Sequence, residues 1–346
     1  MRFSVIIATY NCEQSIGLVL TCLRKQTFPH YDFEIICVDD HSTDRTVSVI
    51  QQFKGVKMVI LPINRGNGPA KNVGVQCAKG DIHFFVDDHM YLASDALTRL
   101  DILFRHRPFI SGICGNYKSK RKSDLNILRD IRRRMIYKKD RVGRFISVKS
   151  FYPFSITIGA IRKRLFINES FPETFGKNGA EDVLLQILHL HNKHVFYYSP
   201  EVTGIHDHNL NFSRIVRKIN IEVYGMGELF VDLVRKRKRI PYQYGFLSYP
   251  LLLVVSILLT VISVRFYPIL LIALLIEFKN IIPCFYDSHT KLSFRIGASL
   301  YILVGELVKA VYVIYCLSTL PIRRIPTAIY QLASWERTKL QSLFVS

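Results

Sequence analysis

The sequence predicts an α/β protein, a mostly parallel sheet flanked by helices, followed by a C-terminal membrane part. Short β-branched and aromatic runs alternate with amphipathic stretches over the first hundred-odd residues. Polar clusters rich in Asp and Asn sit just after three of those runs. Beyond residue 245 the chain turns apolar for stretches long enough to cross a bilayer.

Phe3–Thr9 reads as the first strand and Glu13–Lys25 as the helix after it. Glu34–Val38 and Val56–Leu61 are the next two strands, with Thr43–Phe53 a helix between them. Pro69–Ala78 is the third helix, Asp81–Val86 the fourth strand, Ser94–Arg105 the fourth helix and Ile110–Cys114 the next strand. Such alternation implies parallel strands with helices on both faces. Ligands then bind beyond the carboxyl ends of the strands. Three polar stretches fall there: Thr9-Tyr10-Asn11, Asp39–Asp44 and Asp87-Asp88-His89. Asp and Ser also end strands and cap helices, and Ser42 or Thr43 fits an N-cap. Three such clusters on one predicted edge favour a ligand site.

The formal charge is +20, which calls for an anionic neighbour such as lipid or a phosphorylated substrate. The cations concentrate in Lys118–Arg144 and Arg214–Arg239, without zinc-finger spacing or an RNA-binding signature, so nucleic acid is set aside. On a helix, Leu128, Ile131 and Met135 form a narrow apolar stripe flanked by cations, as expected of a segment in a membrane interface. The seven cysteines form no C-x-x-C and read as small core residues of a reducing compartment.

Phe246–Val264 is uncharged and long enough to span a membrane. Phe266–Tyr286 is weakened by Glu277 and Lys279, and Ile296–Leu320 contains Glu306 and Lys309 one helical turn apart. Val234–Arg239 (VRKRKR) before the first span is a positive-inside signal, and no signal-peptide pattern opens the sequence. The catalytic part is therefore expected in the cytosol, at the inner (plasma) membrane. Arg323, Arg324, Arg337 and Lys339 favour a cytosolic C-terminus, so one apolar segment is expected to be re-entrant or interfacial. The expected layout is a catalytic domain over 1–215 with a basic insert at 116–149. A juxtamembrane linker at 216–245, membrane segments at 246–320 and a basic tail at 321–346 follow.

The motifs VIIATYN (5–11), EIICVDDHSTDRT (34–46) and NRGNGPAKNVGVQCAKGDIHFFVDDHM (64–90) resemble, in order, those of the family 2 glycosyltransferases with the GT-A fold. The likeness continues through ITIGAIRKRLFINESFPETFGKNGAEDVLLQ (156–186), similar to the acceptor half with its G-x-E-D, and covers roughly residues 3–210. The resemblance implies a nucleotide-sugar donor, a UDP- or GDP-sugar, bound with a divalent metal, Mn2+ or Mg2+. The acceptor it implies is a glycan or lipid-linked hydroxyl.

Its D-x-D falls on Asp87-Asp88-His89, which makes Asp87 and His89 the expected metal ligands. Imidazole suits manganese-like ions better than magnesium. A late His in the family often reaches the metal or diphosphate; of His206 and His208, His206 is the favoured candidate. Thr9, Tyr10, Asn11, Asp39 and Asp40 are expected at the nucleotide, and Lys71, Asn72 and Asp88 near the diphosphate. His41 replaces the usual Gly, which His tolerates because it visits positive φ more readily than most residues. Asp182 aligns with the base that deprotonates the acceptor in inverting transfer. The processive Q-x-x-R-W pattern is lacking: Gln331–Trp335 has no Arg, which argues for one or few sugars per encounter. Two alternatives remain at this point: a polyprenyl-phosphate sugar synthase, and a non-catalytic membrane scaffold with a retained nucleotide pocket.

Overall fold

The computed structural model describes residues 1–120, 143–146, 156–167, 169–173, 185 and 194–207. The chain divides into two compact units, Met1–Leu210 and Asn211–Ser346. The second unit lies wholly outside the described residues, as do the expected membrane segments and most of the basic insert. Among the described residues no helix is long and apolar enough to cross a membrane.

Among the described residues nine strands form one sheet: β1 (Phe3–Thr9), β2 (Phe33–Asp39), β3 (Val56–Ile60), β4 (Ile82–Val86), β5 (Met90–Leu92), β6 (Gly112–Ser119), β7 (Arg144–Ile146), β8 (Ile158–Arg162) and β9 (Phe196–His206). Four helices accompany them: α1 (Ile16–Arg24), α2 (Thr46–Gln51), α3 (Asn67–Cys77) and α4 (Ala96–His106). The strand order is β3-β2-β1-β4-β8-β6-β9-β5, with β7 paired to β9. The first four strands are parallel, and β8 enters antiparallel between β4 and β6. The chain builds outward from β1 to β3, then returns to lay β4 on the other side of β1. That reversal leaves a crevice at the carboxyl ends of β1 and β4, where open α/β sheets bind ligands.

Alternation along β1 divides the core between the two faces of the sheet. Phe3, Val5 and Ile7 pack with Ile16, Val19, Leu20 and Leu23 of α1 and with Leu97, Leu100 and Phe104 of α4. Ile6 joins Ile36, Val38 and Ala70 of α3 on the opposite face, together with Phe85 and Phe171. Gly74 permits that approach, since a Cβ there would lie 2.4 Å from Ile6 Cγ2. Gly74→Val would therefore push α3 off β1.

Both ends of the expected basic insert are strands. Residues 112–119 run on as β6 beside β9, and 144–146 return as β7 on the other edge of β9. Ser42 does not cap α2. Its backbone N–H and hydroxyl both donate to Asp39, while the N–H of Thr46 is met by Asp44 Oδ1 at 2.9 Å. The five cysteines of the described part form no disulfide among themselves, and three of them are buried, as expected of core residues.

His83 on β4 is buried and stacked on Phe166, with centroids 5.5 Å apart. Neither ring nitrogen has a hydrogen-bond partner among the described residues. Burial, assisted by Lys163, pushes its pKa down to about 4. Between the unfolded value near 6.5 and about 4, the unfolded chain binds a proton that the folded chain refuses. Acidification through that window therefore destabilises the fold, by at most about 3 kcal/mol. His83→Leu is expected to flatten this part of the pH dependence, read from urea midpoints at pH 7.5 and pH 5. An unchanged pH dependence would contradict the assignment.

Candidate active site

The polar residues at the strand ends are assembled from three loops. Thr9 ends β1, Asp39 ends β2, and Asp87 follows β4, so all three reach the carboxyl edge beside the crevice. Asp39 is fully enclosed and takes the N–H of Ser42 on Oδ2 at 2.8 Å. Its Oδ1 accepts from the hydroxyls of Ser42 at 2.6 Å and Thr9 at 3.2 Å. This turn needs His41 at φ 64°, in the left-handed region, so that Ser42 N–H points back at the carboxylate. The positive φ expected at His41 is what the structure has. Asn11 is also left-handed, at φ 49°, and its Oδ1 accepts from Thr43 N–H at 2.8 Å. Asp40 receives the N–H groups of Arg65 and Gly66, each at 2.7 Å, and so ties down the loop that leads into α3. Gly66, at φ 99°, makes that close approach possible.

Asn72 on α3 takes Phe171 N–H on Oδ1 at 2.8 Å and donates from Nδ2 to Phe171 O at 2.9 Å. It thereby pins the segment leading to the G-x-E-D stretch, and its amide faces that backbone rather than the crevice. Glu173 then bridges to Arg65 at 2.6 Å. Lys71 is buried on α3 with its ammonium over the Phe171 ring, 5.5 Å from the centroid. Tyr10 is the opposite case, with its ring 48% exposed at the mouth of the site.

A tight cluster stands beyond β4. Ligand atoms of Asp87, His89 and His206 all lie within 4.8 Å of one another. Two bonds of ~2.1 Å to one ion put their ligand atoms roughly 3.0–3.4 Å apart, so these side chains need to draw in by about 1 Å to share one. His206 is the last residue of β9, 1% exposed, and its Nε2 is 3.3 Å from Asp87 Oδ2. The pairing of β5 with β9, Met90 against His206, carries His89 to the same point. The backbone N–H of Asp207 donates to His89 O at 3.0 Å and closes the junction. The imidazoles of His89 and His206 stack at 4.4 Å, and Tyr117 meets His206 edge-on at 4.9 Å.

Burial alone raises the Asp87 pKa, but the hydrogen bond and charge of His206, with His89 and Lys71, outweigh it. The carboxyl is held well below the ordinary range. A low-pKa carboxylate converging with two imidazoles, one enclosed, fits a divalent transition metal. Asp182 lies outside the described residues, as does His208.

Two features were not anticipated. Asp207 accepts from Tyr91 OH at 3.0 Å and from Lys120 at 2.8 Å, bracing the backbone beside His206. The Arg65–Glu173 bridge joins the loop before α3 to the segment after Phe171. The first had a signal in the sequence, an Asp beside a candidate ligand; the second joins residues over a hundred positions apart and had none.

A mixed sheet with four parallel strands, an acidic carboxyl edge and a cluster of candidate metal ligands at its crossover is a GT-A-like glycosyltransferase fold. Residues 4–166 match the sequence model described as Glycosyl transferase family 2, and that part of the chain belongs to this family of transferases. The poly(ribitol-phosphate) β-N-acetylglucosaminyltransferase TarS of Staphylococcus aureus is 39% identical over 101 residues, 28% of this chain and 18% of TarS. The poly(ribitol-phosphate) β-glucosyltransferase of Bacillus spizizenii is 39% identical over 104 residues, 29% of this chain and 16% of that protein. The matched segments thus span less than a fifth of these relatives. Among solved structures, TarS 1–349 in complex with UDP-GlcNAc superposes with a TM-score of 0.53 at 22% identity, covering 68% of this chain and 67% of that one. The mannosyltransferase PcManGT from Pyrobaculum calidifontis, in complex with GDP-Man and Mn2+, gives 0.58 at 17% identity over 90% and 87% of the two chains.

Proposed function

We propose that the chain is a metal-dependent, inverting glycosyltransferase that moves a sugar from a UDP- or GDP-sugar to a hydroxyl acceptor. The convergence of Asp87, His89 and His206 at the sheet crossover carries this reading. Asp87, His89 and His206 would hold a divalent ion there, and it would supply positive charge against that developing on the diphosphate leaving group. Lys71, close enough to lower the Asp87 pKa, adds fixed positive charge on the same side. Thr9, Asn11, Asp39 and Asp40 hold the strand-end loops in shape, and Tyr10 offers its exposed ring to the nucleotide. Asp182, placed by the G-x-E-D motif alone, deprotonates the acceptor hydroxyl.

Two neighbours of the same fold support the donor class by what their structures contain: UDP-GlcNAc in one, GDP-Man with Mn2+ in the other. The basic stretches and apolar C-terminal segments support a membrane-bound enzyme with a cytosolic catalytic domain and a lipid-linked or glycan acceptor of the cell surface. The test is release of nucleoside diphosphate from a panel of UDP- and GDP-sugars by the detergent-solubilised full chain with Mn2+. Turnover of at least one donor is expected, stopped by chelation and restored by added Mn2+. A folded preparation that turns over none of them would overturn the reading.

A further inference from the structure

Asp88 stands between Asp87 and His89, yet it lies outside the triad of ligand atoms. Its Oδ1 is 2.6 Å from Nδ1 of His89. A carboxylate only accepts, so in this contact the imidazole proton belongs on Nδ1. The other ring nitrogen, Nε2, then keeps its lone pair. We propose that Asp88 is a positioning residue for the metal centre, fixing the tautomer and rotation of His89 so that Nε2 is the atom presented to the ion. This rests on the metal reading above and assigns Asp88 a task distinct from touching the donor.

Three further observations hold the arrangement together. The Cys12 thiol, on the β1–α1 loop, lies beside Asp88. Cys12 is itself anchored, its N–H donating to Thr46 Oγ1 at 2.8 Å. The stack of His89 on His206 fixes the plane of the ring but not which nitrogen faces the ion. A half-turn about the Cβ–Cγ bond would put Cδ2 in place of Nδ1 and Cε1 in place of Nε2, and the contact of Nδ1 with Asp88 selects against it. Carboxylates that brace metal-binding imidazoles in this way commonly matter 10- to 100-fold in affinity.

The experiment is a double-mutant cycle on metal binding by the metal-free full chain, without donor or turnover. Mn2+ affinity is measured by calorimetry, and Co2+ absorption reports ligand geometry, for wild type, Asp88→Asn, His89→Ala and the double variant. Asp88→Asn is expected to bind Mn2+ about 10- to 100-fold more weakly and to change the Co2+ spectrum. Adding it to His89→Ala should weaken binding by less than twofold further, because Asp88 acts through an imidazole already removed. Asp88→Glu, which keeps the carboxylate, should recover part of the loss. Wild-type affinity in Asp88→Asn, or losses that multiply in the double variant, would overturn the proposal while leaving the metal site standing. Failure of the wild type to bind either ion would instead overturn the metal reading itself. Should Asp88→Asn not fold, judged by its melting temperature without metal, Asp88→Ser is carried through the same cycle with the same expectations.

Discussion

Asp87→Ala is expected to reduce sugar transfer by at least 10²- to 10³-fold, equivalent to about 3–4 kcal/mol of lost transition-state stabilisation. The substitution removes the carboxylate of the triad, which lies 3.3 Å from Nε2 of the enclosed His206. Two imidazoles alone make a poorer site for a hard or borderline divalent ion. The loss should therefore appear as weaker Mn2+ binding as well as slower turnover, and raising Mn2+ should restore only part of the rate. Initial rates across a Mn2+ titration, beside a melting curve for the variant, give the answer. Transfer within a few-fold of wild type would remove Asp87 from the centre.

Asp182→Asn is expected to lower transfer by about 10²- to 10⁴-fold, the range for loss of a positioned general base. The amide nearly matches the carboxylate in size but cannot accept the acceptor proton. Donor affinity should stay within a few-fold, because the metal cluster and strand-end loops are untouched. This separation of binding from turnover distinguishes a base from a structural residue. Full turnover in the purified variant would refute the role.

Much of the fold was legible because hydrophobic periodicity is local. The first strand was read as Phe3–Thr9 and is Phe3–Thr9, and each of the four helices lies where an amphipathic stretch was read. Extents were less certain. Ile110–Cys114 was read as a short strand, but β6 runs from Gly112 to Ser119 because β9 continues beside it. That partner lies about eighty positions away, beyond any local pattern.

The convergence of Asp87, His89 and His206 was also legible, since all three residue types fall at or just after strand ends. The division of labour among the polar residues was not. Asp39, Asp40, Asn11 and Asn72 were read as donor contacts; each also accepts a backbone N–H, Asp39 within its own turn and the other three from another segment. A sequence shows an acidic residue at a strand end but not the N–H that will reach it. The same limit applies to Ser42, whose partner proved to be Asp39 rather than the start of α2. His41 was an exception, because a positive φ is a property of the single residue and its turn.

The central claim is that this site binds a nucleotide sugar through a divalent metal. Calorimetric titration of the full chain with UDP-GlcNAc and with GDP-mannose, in Mn2+ and then in chelator, tests it most directly. At least one of the two is expected to bind in Mn2+ with a Kd of roughly 1 μM to 1 mM. In chelator its affinity should fall at least tenfold, and Asp87→Ala in Mn2+ should behave like wild type in chelator. Affinity that is the same with and without metal, or no binding of either donor by a folded chain in Mn2+, would contradict it.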